Sequence, residues 1–158
     1  MNAVFTGHRD VLPEHRQYVI SATEDVASRS SMLFLGGARG GDTLVMDTVV
    51  NMAVVGKHFP AVTVIVAAEL NDQPADAVLS IKTAQKVLGD KFSLIELKKS
   101  YNADGLKARN REMLDRAVMA GNPHLFAYWR GIFKSGTYSA ICYARKVSVP
   151  VQVITLPV

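Results

Sequence analysis

An α/β sandwich built on a mainly parallel sheet of about six strands is the fold this sequence predicts, and three observations predict it. Six short apolar runs alternate with five segments of helical spacing. The runs carry apolar residues on both faces, as expected of strands covered on each side. Turn residues, glycine above all, sit where the runs end. Right-handed crossovers between such strands give a Rossmann-like three-layer α/β/α arrangement.

Each element has its own warrant. The first run, residues 3–6, leads to a helical segment at 13–30, where Val19, Ala22, Val26 and Ala27 share a face and Pro13 suits a first turn. The second run, 32–35, precedes a helix at 42–56, with Asp42 as its N-cap and Val45, Met46, Val49 and Ala53 as its stripe. After the third run, 62–67, a polar loop at 69–74 leaves room for a short extra turn. The helix at 75–89 then repeats through Val78, Ile81, Ala84 and Leu88, and Gly89 stops it. The fourth run, 92–97, leads to a helix at 104–121 with Leu106, Asn110, Met113, Leu114 and Ala117 on one face. The fifth, 124–129, precedes a helix at 136–147 using Ala140, Ile141 and Ala144, and 151–155 closes the series. Without a Pro/Gly/Ser linker, low-complexity tract or internal repeat, residues 1–158 are expected to form one domain. A chain of 158 residues can bury roughly 70% of its unfolded surface.

Composition narrows the function classes. A hydrophobic content of 49% excludes global disorder. No apolar run approaches the ~18 residues of a membrane span, and Arg9 and Asp10 interrupt the N-terminal stretch before a signal-peptide core develops. Cys142 is the only cysteine, so no intrachain disulfide forms, and within SAICYARK it reads as packing. The expected compartment is cytoplasmic. A formal charge of +4 and a pI near 9.3 favour anionic partners. The basic residues form only short groups (KHF, KK, RNR), not the stripe expected of a duplex binder. Nucleic acid is therefore disfavoured, a small phosphorylated ligand needs less surface, and no membrane partner is expected.

In open parallel sheets ligands bind beyond the carboxyl ends of the strands. Three glycine-bearing turns, each with an arginine, fall there: TGHRD, GGARGGD and YWRGIFKSGT. The second holds Gly36, Gly37, Arg39, Gly40 and Asp42. Free N–H groups at the following helix start carry about half a positive charge, so a phosphate is stabilised there, and Arg39 offers a bidentate contact. The stretch is neither G-x-G-x-x-G nor a P-loop, and a glycine-rich turn that only links strand to helix is the plainer alternative. Ser135, Gly136 and Thr137 form a second candidate cradle beside Lys134 and Arg130; an N-cap serine in an ordinary turn is its alternative. Of Tyr128 and Trp129, one is expected in the core while the other could flank a base.

Gly7, His8 and Arg9 end the first run, and His8 has no partner at metal-ligand spacing. Neither a metal nor another cofactor is expected. Arg109 and Asn110 bring polarity to an inward helical face. Unpaired buried polar groups cost about 1–3 kcal/mol, so this pair either caps sheet-end backbone or contacts a ligand.

The order TGHRD, GGARGGD, RNREM and FAYWRGIFKSGT, followed by a helix and PVQVI, resembles the SLOG superfamily, and within it the small YspA-like group. The resemblance runs nearly end to end, except across residues 69–88. It implies a Rossmann-like module that binds a nucleotide or ADP-ribose-like ligand. It also implies that Gly7, Arg9, Gly36, Gly37, Arg39, Gly40, Asp42, Arg109, Asn110, Ser135, Gly136 and Thr137 line the site. The superfamily includes phosphoribohydrolases with R-K-x-x-M and P-G-G-x-G-T-x-x-E motifs, which makes cleavage or transfer at an N-glycosidic bond the alternative activity. Here Asn110 stands where that lysine is expected and Ala140 where the catalytic glutamate is expected. An alanine can neither stabilise an oxocarbenium-like centre nor activate water. A homo-oligomer is a possible state, since exposed faces on small sandwiches commonly pair.

Overall fold

The computed structural model describes residues 1–157. Six strands, β1 (Asn2–Gly7), β2 (Met32–Gly36), β3 (Ala61–Val66), β4 (Phe92–Glu96), β5 (Pro123–Tyr128) and β6 (Val151–Val153), form one sheet. Its spatial order is β4-β3-β2-β1-β5-β6, and every neighbouring pair is parallel. The helices are α1 (Arg16–Ser28), α2 (Gly41–Val54), α3 (Ala75–Leu88), α4 (Ala103–Ala120) and α5 (Gly136–Lys146). This is the expected Rossmann-like three-layer sandwich, with a sheet that is parallel throughout.

The pleat explains why the runs are apolar without alternation. Ala3, Phe5, Leu33, Leu35, Val62 and Val64 point into a layer filled by Val19, Val26, Val45, Met46, Val49 and Ile81 of α1, α2 and α3. Val4, Phe34, Ile65, Leu125 and Ala127 point the other way, onto Met113, Leu114, Ala117, Ile141 and Ala144 of α4 and α5. Alternate side chains thus enter opposite cores. Three helices cover one face and two the other.

Local structure departs from the sequence expectations in identifiable places. Asp42 is not the N-cap of α2. Gly40, at φ 77, occupies that position, and Asp42 lies within the first turn, where its carboxylate accepts the Ala38 N–H at 3.2 Å. Only glycine takes such a backbone angle freely, so the helix begins two residues earlier than a capping aspartate would place it. Residues 13–30 form a 3-10 turn, Pro13–His15, before α1 starts. Thr23, not Ala22, belongs to the fully buried face of α1, its hydroxyl donating to the Val19 carbonyl at 2.7 Å. The loop after β3 does contain a short turn, Leu70–Asp72, closed by Glu69 and Asp72 reciprocally. Among the described residues no helix is long and apolar enough to cross a membrane.

The start of α4 shapes the carboxyl edge of the sheet, because this helix walls the strand ends. Asn102 Oδ1 accepts the Gly105 N–H at 3.0 Å, satisfying one orphan donor of the first turn. A Cβ on Gly105 would run into the Ser100 carbonyl oxygen. Asn102→Ala should therefore lower stability by about 1 kcal/mol, and Gly105→Ala by more, because Ser100 backbone must move. Chemical denaturation measures both; parent-like stability in Gly105→Ala would show that the junction is not sterically closed.

Candidate functional site

The strand order places a topological switch at β1. From it the chain steps outward to β2, β3 and β4, then returns to build β5 on the other side. In such sheets the crevice lies beyond the carboxyl ends of the strands flanking the switch. A cleft of about 1090 Å³ opens there. Thr6 to Asp10 at the end of β1 and just beyond it, the first turns of α4 and the β5–α5 loop form its walls. Five cationic side chains, Arg9, Lys107, Arg109, Arg130 and Lys134, line it against one carboxylate, Asp10.

Seven of the residues expected at the site line this cleft: Gly7, Arg9, Arg109, Asn110, Ser135, Gly136 and Thr137. Gly36, Gly37, Arg39, Gly40 and Asp42 do not; Ala38 is the only residue of their turn that reaches it. The glycines there answer to close packing. A Cβ on Gly36 would lie 2.7 Å from Cζ of Arg109, so the guanidinium rests against bare backbone. One on Gly37 would lie 2.6 Å from Cγ1 of Val66, and one on Gly40 would overlap the Arg9 carbonyl. The Gly41 N–H also donates to the His8 carbonyl at 3.0 Å, binding this turn to the one after β1. Arg39 is exposed.

Arg109 and Asn110 are both buried and pair with each other. Arg109 donates through Nε and one terminal nitrogen to Asn110 Oδ1, at 3.2 and 3.0 Å. Asn110 Nδ2 makes a long 3.5 Å contact to the Gly136 carbonyl, so α4 touches the start of α5 through this side chain. Burial pulls the Arg109 pKa down, while the nearby Asp42 charge opposes the shift. Arginine starts so high that it stays cationic. Asp42, also buried, has its pKa raised to about 7; desolvation dominates, and Arg109 and the Ala38 N–H work against it.

Three hydrogen bonds fasten the rim. His8 Nε2 accepts the Arg130 N–H at 3.1 Å, joining the loop after β1 to the loop after β5. Burial, then the Arg130 charge, lowers the His8 pKa. The hydroxyl of buried Tyr128 accepts the Leu12 N–H at 3.2 Å and lies 2.9 Å from His15 Nδ1. Tyr128 is thus the core member of the Tyr128–Trp129 pair.

The β5–α5 loop is ordered by its own side chains. Ser135 is the N-cap of α5, accepting the Tyr138 N–H at 3.1 Å and donating to the Ile132 carbonyl at 2.8 Å. Trp129 Nε1 donates to the same carbonyl at 2.8 Å. Trp129, Phe133 and Tyr138 stack mutually with centroids 4.9 to 5.4 Å apart. Phe133 remains 69% exposed. A Cβ at Gly136 would meet nothing within 4 Å, so this turn is open toward solvent.

The sequence expectations passed over Ala103, Leu106 and Lys107 in the cleft wall. Together with Asn110 they repeat at three- and four-residue steps, a legible helical stripe. Phe133 and Tyr138 carried no spacing signal.

No protein-family model matches the chain, and no curated protein does. Solved structures share its fold, among them two DNA processing proteins. One is DNA processing protein A from Helicobacter pylori, described for its single-stranded DNA binding mode, with a TM-score of 0.69 and 18% identity over 97% of this chain and 64% of that one. The other is DNA processing protein A (DprA) from Streptococcus pneumoniae, with a TM-score of 0.51 and 13% identity over 96% and 58%. The chain therefore spans less than two thirds of either neighbour, and at these identities the likeness is one of fold. The expected small nucleotide ligand, with nucleic acid disfavoured, is corrected by this comparison: the neighbour in fold is a protein that binds single-stranded DNA.

The buried carboxylate generates a pH prediction. Asp42 titrates at 3.8 when solvated and at about 7 in the folded chain. The folded state then holds a proton that the unfolded state has lost, so this contribution is complete below 3.8 and disappears as pH rises through about 7. Asp42→Asn, whose amide oxygen can still accept the Ala38 N–H, should flatten the fall in stability over that window and exceed the parent at pH 8. Urea denaturation at a series of pH values measures it; identical profiles would mean Asp42 titrates normally.

Proposed function

We propose that this chain binds single-stranded DNA in the cleft beyond the carboxyl ends of β1 and β5. One observation carries the reading: four cations on the rim, Arg109 buried beneath them and the exposed ring of Phe133 share a single cleft. Sequence-tolerant single-strand binding uses this combination, a basic groove for the backbone and aromatic faces for the bases. The cleft's volume, about 1090 Å³, also lies just above the roughly 300–1,000 Å³ typical of small-molecule sites. The shared fold with a single-stranded DNA binder supports the same direction.

In this reading Arg9, Lys107, Arg130 and Lys134 neutralise phosphates. Arg109 lends charge from beneath the floor, held by Asn110. The free N–H groups of Gly136 and Thr137 at the start of α5 offer a further phosphate position, shaped by the Ser135 cap. Gly7, also in the wall, leaves room for the Phe5 ring, which a Cβ there would approach to 2.6 Å. Phe133 supplies the stacking face. We also read residues 1–158 as one SLOG-type unit of the YspA-like group, on the four ordered motifs.

Fluorescence anisotropy with labelled oligothymidylate tests this. Phe133→Ala should weaken binding by about 1–3 kcal/mol while leaving the fold intact. Arg130→Ala combined with Lys134→Ala should lower the slope of log affinity against log salt by about 1.4. No measurable binding at about 50 mM salt, or tighter binding of the matching duplex, would defeat the reading.

A further inference from the structure

A second groove, of about 210 Å³, lies between α4 and α5 and adjoins the cleft. Lys107, Asn110, Ser139 and Cys142 line both, so the two are contiguous. Past the shared residues the groove is lined by Arg111, Ala140, Tyr143 and Lys146. Three of its side chains are cations and none is a carboxylate. The ion pairs among the described residues lie elsewhere and involve none of these three.

The groove is also braced. The Arg111 guanidinium lies over the Tyr143 ring, 5.2 Å from its centroid, and the Tyr143 hydroxyl donates to Asp115 Oδ1 at 2.7 Å. Stacking uses the face of a guanidinium and leaves its in-plane N–H fork for an oxyanion. Asp115, the carboxylate in this brace, is engaged by the tyrosine and does not line the groove. Lys107 and Arg111 stand one turn apart on α4, about 6 Å along its axis, with Lys146 of α5 opposite. Ala140 keeps the floor uncharged. The volume falls below the roughly 300 Å³ at which small-molecule pockets begin, so the groove suits an extended anion passing through.

We infer that a DNA strand seated in the cleft leaves it along the α4–α5 groove, where Lys107, Arg111 and Lys146 meet its phosphates. This rests on the reading that the cleft binds single-stranded DNA. The site is thus longer than the cleft, and its affinity grows with strand length until the groove is filled.

The test compares oligothymidylates of about four and about sixteen nucleotides, bracketing the usual single-strand site sizes. The proteins are the parent and the double variant Arg111→Gln, Lys146→Gln, both checked by thermal melting. Neither substituted residue lines the main cleft. The parent should bind the long strand more tightly than the short. The variant should keep the short-strand affinity and lose the length advantage, its long-strand salt slope falling by about 1.4. Unchanged long-strand binding, or equal weakening of both strands, would overturn the exit path and leave the cleft reading standing. Failure of the parent to bind either strand would overturn both.

Discussion

A buried guanidinium laid on bare backbone organises the ligand-facing end of this molecule. An isolated charge taken out of water costs many kcal/mol unless it is hydrogen-bonded and balanced. Arg109 meets that demand with the Asn110 amide oxygen, the nearby Asp42 carboxylate and the absence of a side chain at Gly36. Each comes from a different place: the end of β2, the first turn of α2 and the body of α4. Asn110 extends the arrangement to the start of α5. One charge thereby ties together elements from separate stretches of the chain. The cleft inherits its floor from this arrangement.

The layers were legible in the sequence because β1, β2, β3 and β5 are covered on both faces, which turns their runs apolar without alternation. Helix faces were legible for the same reason, down to Met113, Leu114 and Ala117 on α4. Starts were read less well, since a capping aspartate and an aspartate inside the first turn look alike until a positive-φ glycine such as Gly40 is seen.

The site was half legible. Gly7, Arg9, Arg109, Asn110 and the Ser135 turn follow from strand ends and helical spacing. Gly36 and Gly37 were read as room for an anion, yet glycine signals only that something comes close. Here the visitors are Arg109 and Val66, from distant elements. The partner class was misread for a related cause. Arg9, Lys107, Arg130 and Lys134 are scattered in sequence and look unremarkable one by one, whereas three separate segments deliver them to one cleft. Charge density on a rim is a property of the fold.

The bond from the Arg130 N–H to His8 Nε2 has a consequence for acid tolerance. Nε2 can accept only while the imidazole is neutral with its proton on Nδ1. Burial first, and the adjacent Arg130 charge second, hold the ring below its usual 6.5. Arg9 and Asp10 follow it in the chain, and Tyr128 meets it edge-on at 5.8 Å. The linkage favours folding fully above 6.5, and that benefit declines as the pH falls from 6.5 to the lowered value, a range in which the folded ring is still neutral. Over the same interval the latch between the two loops stays shut. Mild acid therefore draws on the molecule's stability before it alters the shape of its rim.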